Sequence, residues 1–144
     1  MTSSWKPHFY YRAKLTEGTV RVSFQVRFEP DAHVVFDWRD WTQSQYLTGP
    51  GIRVEDGTLS VKGKTLMTLK PNTWSRIEMS AAVGPDQSGR WTLDVIPAGG
   101  VKKTFTELEP VSPNWRRVDW FGFSSLANEP VAWYLDDFQI SRSP

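Results

Sequence analysis

One segment of the sequence, Thr19 to Glu29, alternates strictly between apolar and polar residues. Its apolar members fall on one side of an extended chain: Val20, Val22, Phe24, Val26 and Phe28. A two-residue period is typical of a β-strand with one face in the core and one in solvent, as in antiparallel sheets. The segment therefore predicts a long antiparallel strand, which constrains the fold more than any other feature of the chain.

Further short segments have strand character, and turn-forming residues separate them. They are His33–Arg39, Gly51–Glu55, Thr58–Val61, Thr65–Leu69, Trp74–Val83, Trp91–Ile96, Val101–Phe105, Val118–Ser124 and Val131–Ile140. The pairs Asp56-Gly57 and Lys62-Gly63 supply the positive φ that tight hairpins need. No segment shows convincing helical spacing of apolar residues. About ten strands without a helix predict an all-β sandwich of two antiparallel sheets.

The length of the chain fits one domain. At 144 residues it can enclose a substantial core, and no repeat or linker divides it. We therefore expect residues 1–144 to form a single domain. The first few residues and Arg142–Pro144 are expected to fray. A chain bounded so closely by one domain suggests a module of a larger protein.

Charge and composition exclude several classes of function. The net charge is +1, from 17 basic and 16 acidic residues, so no overall field favours nucleic acid or an anionic membrane. No apolar run approaches the roughly 18 residues of a spanning helix. Cysteine is absent, which excludes disulfides, thiol catalysis and Cys-ligated metals. Residues 1–6 contain no signal-peptide core, and we expect an extracellular or periplasmic location as part of a longer precursor.

Three motifs resemble those of concanavalin A-like and laminin G-like domains. Val131–Ile140 resembles their closing strand, Asn72–Met79 is similar to a strand that begins with tryptophan after a turn, and Trp120–Phe123 resembles the strand before the last hairpin. The resemblance implies a concanavalin A-like jelly roll, a fold used by lectins, carbohydrate-binding modules, glycoside hydrolases and polysaccharide lyases. It also implies that a ligand would bind the outward face of the concave sheet. Trp74, in the second motif, is expected in the core.

The catalytic residues of the enzymes that share this fold are not found in the sequence. Glucanases carry Glu-x-Asp-x-x-Glu on one strand, and lyases carry a Gln-x-His pair; neither occurs here. Glu107 and Glu109 form a weak carboxylate pair beside a proline, and His33 is a weak candidate for a site residue. We therefore predict no catalytic residues. A hydrolase or lyase with an unrecognised acid/base pair is the alternative.

Aromatic and polar residues are concentrated between Asp37 and Tyr46. The chain carries eight Trp, eight Phe and four Tyr, more than a small core usually takes, so some rings should be exposed. Trp38 is in phase with buried neighbours, whereas Trp41 and Tyr46 lie outside the alternation. Flat rings stack on sugars, and carboxylate and guanidinium groups bond their hydroxyls. The predicted carbohydrate-binding residues are Gln25, Arg27, Asp37, Arg39, Trp41, Tyr46 and Trp120, with Gln25, Arg27 and Asp37 as neighbours on an adjoining strand face and Trp120 pointing outward.

The ligand and the cofactor are less well defined by the sequence. Arg27 and Arg39 would favour an acidic sugar, a uronate or sulfate, if they share the binding face; otherwise they are solvated charges. Asp136 and Asp137 could bind calcium, or could accept backbone hydrogen bonds instead; no other cofactor is expected. We predict a non-catalytic polysaccharide-binding module, monomeric within a larger bacterial secreted or surface protein. A structural or protein-interaction domain is the third alternative.

Overall fold

The computed structural model describes residues 8–127 and 131–144, and across these residues the structure is all-β. The strands are β1 His8–Leu15, β2 Gly18–Phe28, β3 His33–Asp40, β4 Leu47–Glu55, β5 Thr58–Val61, β6 Lys64–Thr68, β7 Ser75–Val83, β8 Trp91–Pro97, β9 Lys103–Leu108, β10 Val118–Ser125 and β11 Trp133–Ser143. Within the same ranges no helix is long and apolar enough to cross a membrane. The predicted all-β class is confirmed.

The strands form two antiparallel sheets. The order of the six-stranded sheet is β1-β10-β3-β4-β5-β6, and the order of the five-stranded sheet is β11-β2-β7-β8-β9. Strands that are consecutive in the chain often lie in different sheets: β2 belongs to the five-stranded sheet and β3 to the six-stranded one. The chain thus crosses repeatedly between two packed layers, which is the predicted sandwich.

The core lies between the sheets and is rich in aromatic rings. Phe24 on β2 meets Phe36 on β3 and Phe123 on β10 edge to face, each at 5.1 Å between ring centroids. Such pairs contribute roughly 0.5–1.5 kcal/mol beyond the burial of their area. The five apolar residues of the alternating segment 19–29 are all buried, and so are inward-facing residues of other strands, among them Phe36, Ile77, Met79, Leu93, Phe121 and Phe123.

The ends of the chain and one tryptophan differ from expectation. The strand β1 was not predicted, and it pairs with β10 at the edge of the six-stranded sheet. Arg142 and Ser143 do not fray but continue β11, where they pair with β2. Trp74, expected in the core, precedes β7 and is 38% exposed. The expected fraying of the first residues falls on residues 1–7, outside the described part of the chain.

Candidate functional site on the six-stranded sheet

Strand register brings the polar residues of β3 onto the outer face of the six-stranded sheet. Along β3, Phe36 and Trp38 point into the core, so Asp37 and Arg39 point outward. On one side, β10 places Trp120 opposite Arg39 and Gly122 opposite Asp37. On the other side, β4 places Gly51 opposite Asp37. The outward position of Asp37 therefore lies between two glycines.

A column of rings surrounds the Arg39 guanidinium, and we call it the Arg39 stack: Tyr10, Trp120, Arg39, Tyr46 and Trp41. The carbon at the centre of the guanidinium lies 4.2 Å from the ring centroid of Trp120 and 4.2 Å from that of Tyr46. Tyr10 stacks on Trp120 at 6.0 Å with an interplanar angle of 17°, and Trp41 lies 4.4 Å from Tyr46. A cation over an aromatic face is stabilised by the ring quadrupole.

Trp120 lies on the outer face, as predicted, yet it is almost fully covered. Its ring rests on Gly122, so that a Cβ added there would collide with it. Tyr10 and Arg39 also contact the ring, and only 8% of the residue is exposed. Trp41 and Tyr46, at the other end of the stack, are 41% and 37% exposed. The exposed rings of the stack are therefore Trp41 and Tyr46 at one end and Tyr10, 48% exposed, at the other.

Asp37 orients Arg39. The Nε of Arg39 donates to Asp37 Oδ1 at 2.9 Å, and its Nη2 donates to Oδ2 at 3.4 Å. Burial raises the pKa of Asp37, and the charge and hydrogen bonds of Arg39 oppose that rise. The pair neutralises both charges and fixes the guanidinium between the two rings.

A groove runs along the sheet on the β4 side of Asp37, and we call it the Gly51 groove. Its volume is about 520 Å³, within the range of small-molecule sites. Its lining includes Val35, Asp37, Gly51, Arg53, Glu55, Ser60, Lys62 and Val111. Glu55 approaches His33 at 3.9 Å and Lys62 approaches Glu109 at 3.4 Å, whereas no carboxylate in residues 8–127 or 131–144 lies at ion-pair distance from Arg53.

A second depression lies beside two members of the Arg39 stack, Trp41 and Trp120. Arg12, Lys14 and Trp41 line it together with Asp119 and Trp120. The backbone N–H of Trp41 donates to Asp119 Oδ1 at 2.7 Å, which fixes the start of the loop between β3 and β4. This anchor holds the Trp41 ring against Tyr46 in the stack, although the loop itself is polar and exposed.

The structure brings together five of the predicted site residues and separates two. Asp37, Arg39, Trp41, Tyr46 and Trp120 share the outer face of the six-stranded sheet. The prediction that Gln25 and Arg27 adjoin them is wrong, because both lie on β2 in the five-stranded sheet. There Arg27 lies under Tyr134, 5.2 Å from the ring centroid.

Sequence reasoning missed the residues of the Gly51 groove. The signal was present, because alternation from Gly51 to Glu55 places Gly51, Arg53 and Glu55 on one face. What the sequence did not reveal is that β4 is the neighbour of β3 and that this face adjoins Asp37.

The weaker candidates are held in ion pairs or hydrogen bonds. Asp137 accepts from Gln139 at 2.9 Å and lies 3.6 Å from Arg76, and its own N–H donates to Asp136. Within the described ranges no cluster of three or more His, Asp or Glu could hold a metal ion. Glu107 and Glu109 both face Arg90 at 3.9 Å, away from the Arg39 stack.

Comparison with solved structures places this architecture among known folds. An alginate lyase of the PL-14 class from Aplysia kurodai superposes with a TM-score of 0.63 and 12% identity, over 91% of this chain and 72% of the lyase. The galectin LEC-6 from Caenorhabditis elegans superposes with a TM-score of 0.51 and 9% identity, over 95% of this chain and 94% of the galectin. The fold is the concanavalin A-like jelly roll.

No protein-family model and no curated protein sequence matches the chain. The likeness to the two solved structures is therefore one of fold. Since one of them is an enzyme and the other a galectin, this jelly roll does not decide between catalysis and binding. The decision has to come from the residues on the outer face of the sheet.

Proposed function

We propose that the protein binds a carbohydrate, without cleaving it, on the outer face of its six-stranded sheet. The observation that supports this most is the Arg39 stack, which presents the exposed rings of Trp41 and Tyr46 on the same face as the polar Gly51 groove. A pyranose has apolar C–H faces and a rim of hydroxyls. It therefore suits a site that combines ring faces with planar hydrogen-bonding groups.

Rigidity also favours binding at this place. The guanidinium of Arg39 donates two hydrogen bonds to Asp37 and lies between two rings, and these contacts fix its position. Tyr46 therefore rests on an ordered neighbour. A ring whose position is already set loses little conformational entropy when a ligand covers it. This is the property expected of a sugar-stacking platform.

Asp37 and Glu55, the carboxylates that line the Gly51 groove, do not form a glycosidase pair. Glu55 pairs in register with His33, which is four residues from Asp37 along β3. At about 3.3 Å per residue the two strand positions are about 13 Å apart. Carboxyl groups in retaining and inverting glycosidases are about 5–9.5 Å apart. Both oxygens of Asp37 moreover accept hydrogen bonds from Arg39, so neither points freely at a leaving group.

The test combines a glycan array with calorimetric titration of the sugars that bind. Trp41→Ala should weaken binding by roughly 1–3 kcal/mol, about 5- to 150-fold in Kd, the range for a lost stacking platform. Trp74→Ala is the matched control, because Trp74 is similarly exposed but lies outside the Arg39 stack, next to the five-stranded sheet. Both variants should keep their melting temperature within a few degrees.

Three results would contradict the proposal. Equal affinities of the Trp41 and Trp74 variants would show that the sugar does not stack on the rings of the Arg39 stack. Release of reducing ends or unsaturated uronates, abolished by Asp37→Asn or Glu55→Gln, would identify an enzyme. Failure of every glycan to bind would favour the protein-interaction alternative. The place of the domain in a larger secreted or surface protein, and its monomeric state, stay predictions.

A further inference from the structure

We propose that Arg53 binds the carboxylate of a uronate-containing oligosaccharide in the Gly51 groove. The inference rests on the proposed function and narrows its ligand from carbohydrates in general to acidic ones. The sequence suggested Arg27 and Arg39 as the residues that contact an anion. The inference assigns that contact to Arg53 on β4, two strands from the β10 residue Trp120.

The cationic side chains on this face differ in whether a neighbouring group already pairs with them. Arg39 is committed to Asp37 through two hydrogen bonds and is covered by the rings of Trp120 and Tyr46. Lys62 lies 3.4 Å from Glu109. Arg53 has no carboxylate at ion-pair distance among the described residues, and its side chain is exposed. Glu55, its neighbour on the same strand face, approaches His33 instead.

The position of Arg53 suits a ligand that lies flat on the sheet. Register places it between Val35 on β3 and Ser60 on β5, one outward position from Gly51. Gly51, which has no side chain, lies in the lining of the groove between Asp37 and Val111, and a sugar ring in the groove would rest there. The substituent of that ring then reaches Arg53, and its hydroxyls reach Ser60.

The chemistry of the guanidinium favours a carboxylate. Its N–H groups form a planar fork that matches the two oxygens of a carboxylate, and such charge-assisted pairs are roughly twice as strong as neutral hydrogen bonds. Asp37, beside Gly51, is neutralised by Arg39, and the carboxylate of Glu55 lies one outward position beyond Arg53, 3.9 Å from His33. A hexuronic acid carries that carboxylate on the ring itself, next to the face that would rest on Gly51.

The experiment uses matched sugars. Hexamers of mannuronate and of galacturonate are titrated into the protein beside the same hexamers with their carboxyl groups reduced to alcohols, and beside a sulfated neutral hexamer. The acidic hexamers should bind at least tenfold more tightly than the reduced ones. Added salt should lower the affinity of the acidic hexamers and leave that of the reduced ones unchanged. Arg53→Gln should abolish the difference, and Arg53→Lys should restore part of it. Arg21→Gln, an exposed arginine on the five-stranded sheet, should leave it unchanged.

The outcomes separate this inference from the proposed function. If reduced and acidic hexamers bind equally and Arg53→Gln changes neither, the uronate assignment is wrong while carbohydrate binding stands. If only the sulfated hexamer binds, the anion is a sulfate and the carboxylate assignment fails. If Arg21→Gln has the effect expected of Arg53→Gln, the site lies on the other sheet. Absence of binding to any hexamer or array glycan overturns both.

Discussion

Replacing Gly122 with alanine should unseat Trp120 from the outer face of the six-stranded sheet. A Cβ at Gly122 would lie 2.5 Å from Cζ2 and 2.7 Å from Cζ3 of the indole, and closer still to Cη2. Carbon atoms in contact are normally about 3.5–4.0 Å apart. Gly122 is paired on both sides, with Tyr10 and with Asp37, so its backbone cannot retreat. The ring must therefore lift by about 1 Å or more.

Two opposing terms set the size of the effect. Overpacking of this kind typically costs about 1–3 kcal/mol. Alanine in a strand is better than glycine by about 0.5–1 kcal/mol, because it loses less backbone entropy on folding. Gly122→Ala should thus lower the free energy of unfolding by about 1 kcal/mol. When Trp120 is alanine there is no ring to displace, and the same substitution should become neutral or stabilising by about 0.5–1 kcal/mol.

The assay is a double-mutant cycle. Wild type, Gly122→Ala, Trp120→Ala and the double variant are unfolded in urea and followed by far-UV circular dichroism, since tryptophan fluorescence would change with the substitution itself. The coupling energy between the two positions should be about 1–3 kcal/mol, and the sign of the Gly122→Ala effect should reverse between the two backgrounds. Equal effects in both backgrounds would mean that Trp120 does not rest on Gly122, and the geometry of the Arg39 stack would have to be abandoned.

Three further predictions concern the core, the buried carboxylate and the groove. Phe24→Ala should lower the free energy of unfolding by about 3–5 kcal/mol in urea titration, because it leaves a cavity among the core rings; a loss under 1 kcal/mol would contradict the packing. Burial raises the pKa of Asp37 above 3.8, so the native state takes up this proton before the unfolded state does. Its contribution to stability should therefore grow as the pH falls from neutrality toward 3.8. The free energy of unfolding of wild type, measured relative to that of Asp37→Asn, should rise between pH 7 and pH 4. A difference that stays constant over this range would refute the prediction. Gly51→Ala places a Cβ 3.4 Å from Asp37 Cβ and Val111 Cγ2. The methyl group should narrow the groove at this point and weaken sugar binding in calorimetry with little change in melting temperature; unchanged affinity would place the ligand elsewhere.

Strands with one dry face could be predicted because the pattern that defines them is local. The alternation of β2 specifies which side chains are buried, whichever strands lie beside it. The identity of those neighbours is not local. Strand β2 pairs with β7 and β11, which lie far along the chain, and no residue of β2 encodes that choice. Gln25 and Arg27 were therefore assigned correctly to a polar face but to the wrong sheet.

Strand β1 escaped prediction because its two faces are chemically alike. Phe9 and Tyr11 point toward the core side and Tyr10 toward the outer face, so aromatic residues occupy successive positions. As an edge strand it also leaves Phe9 and Tyr11 about half exposed. The period of two exists in the structure but not in the hydrophobicity of the sequence.

Two glycines on this face have different surroundings, and that difference, which cannot be read from the sequence, determines where the groove lies. Gly122 and Gly51 flank Asp37 in the sheet, and each removes a side chain from the outer face. At Gly122 the space is taken by Trp120, which is two residues away on the same strand face and folds back over it. At Gly51 no ring covers the position, because Arg53 extends into solvent, and the nearest atoms that an added Cβ would meet are Asp37 Cβ and Val111 Cγ2, at an ordinary contact distance of 3.4 Å. One glycine thus seats a structural tryptophan and the other leaves room for a ligand. That asymmetry is the physical reason to place the sugar on the β4 side of Asp37, with Arg53 beside it.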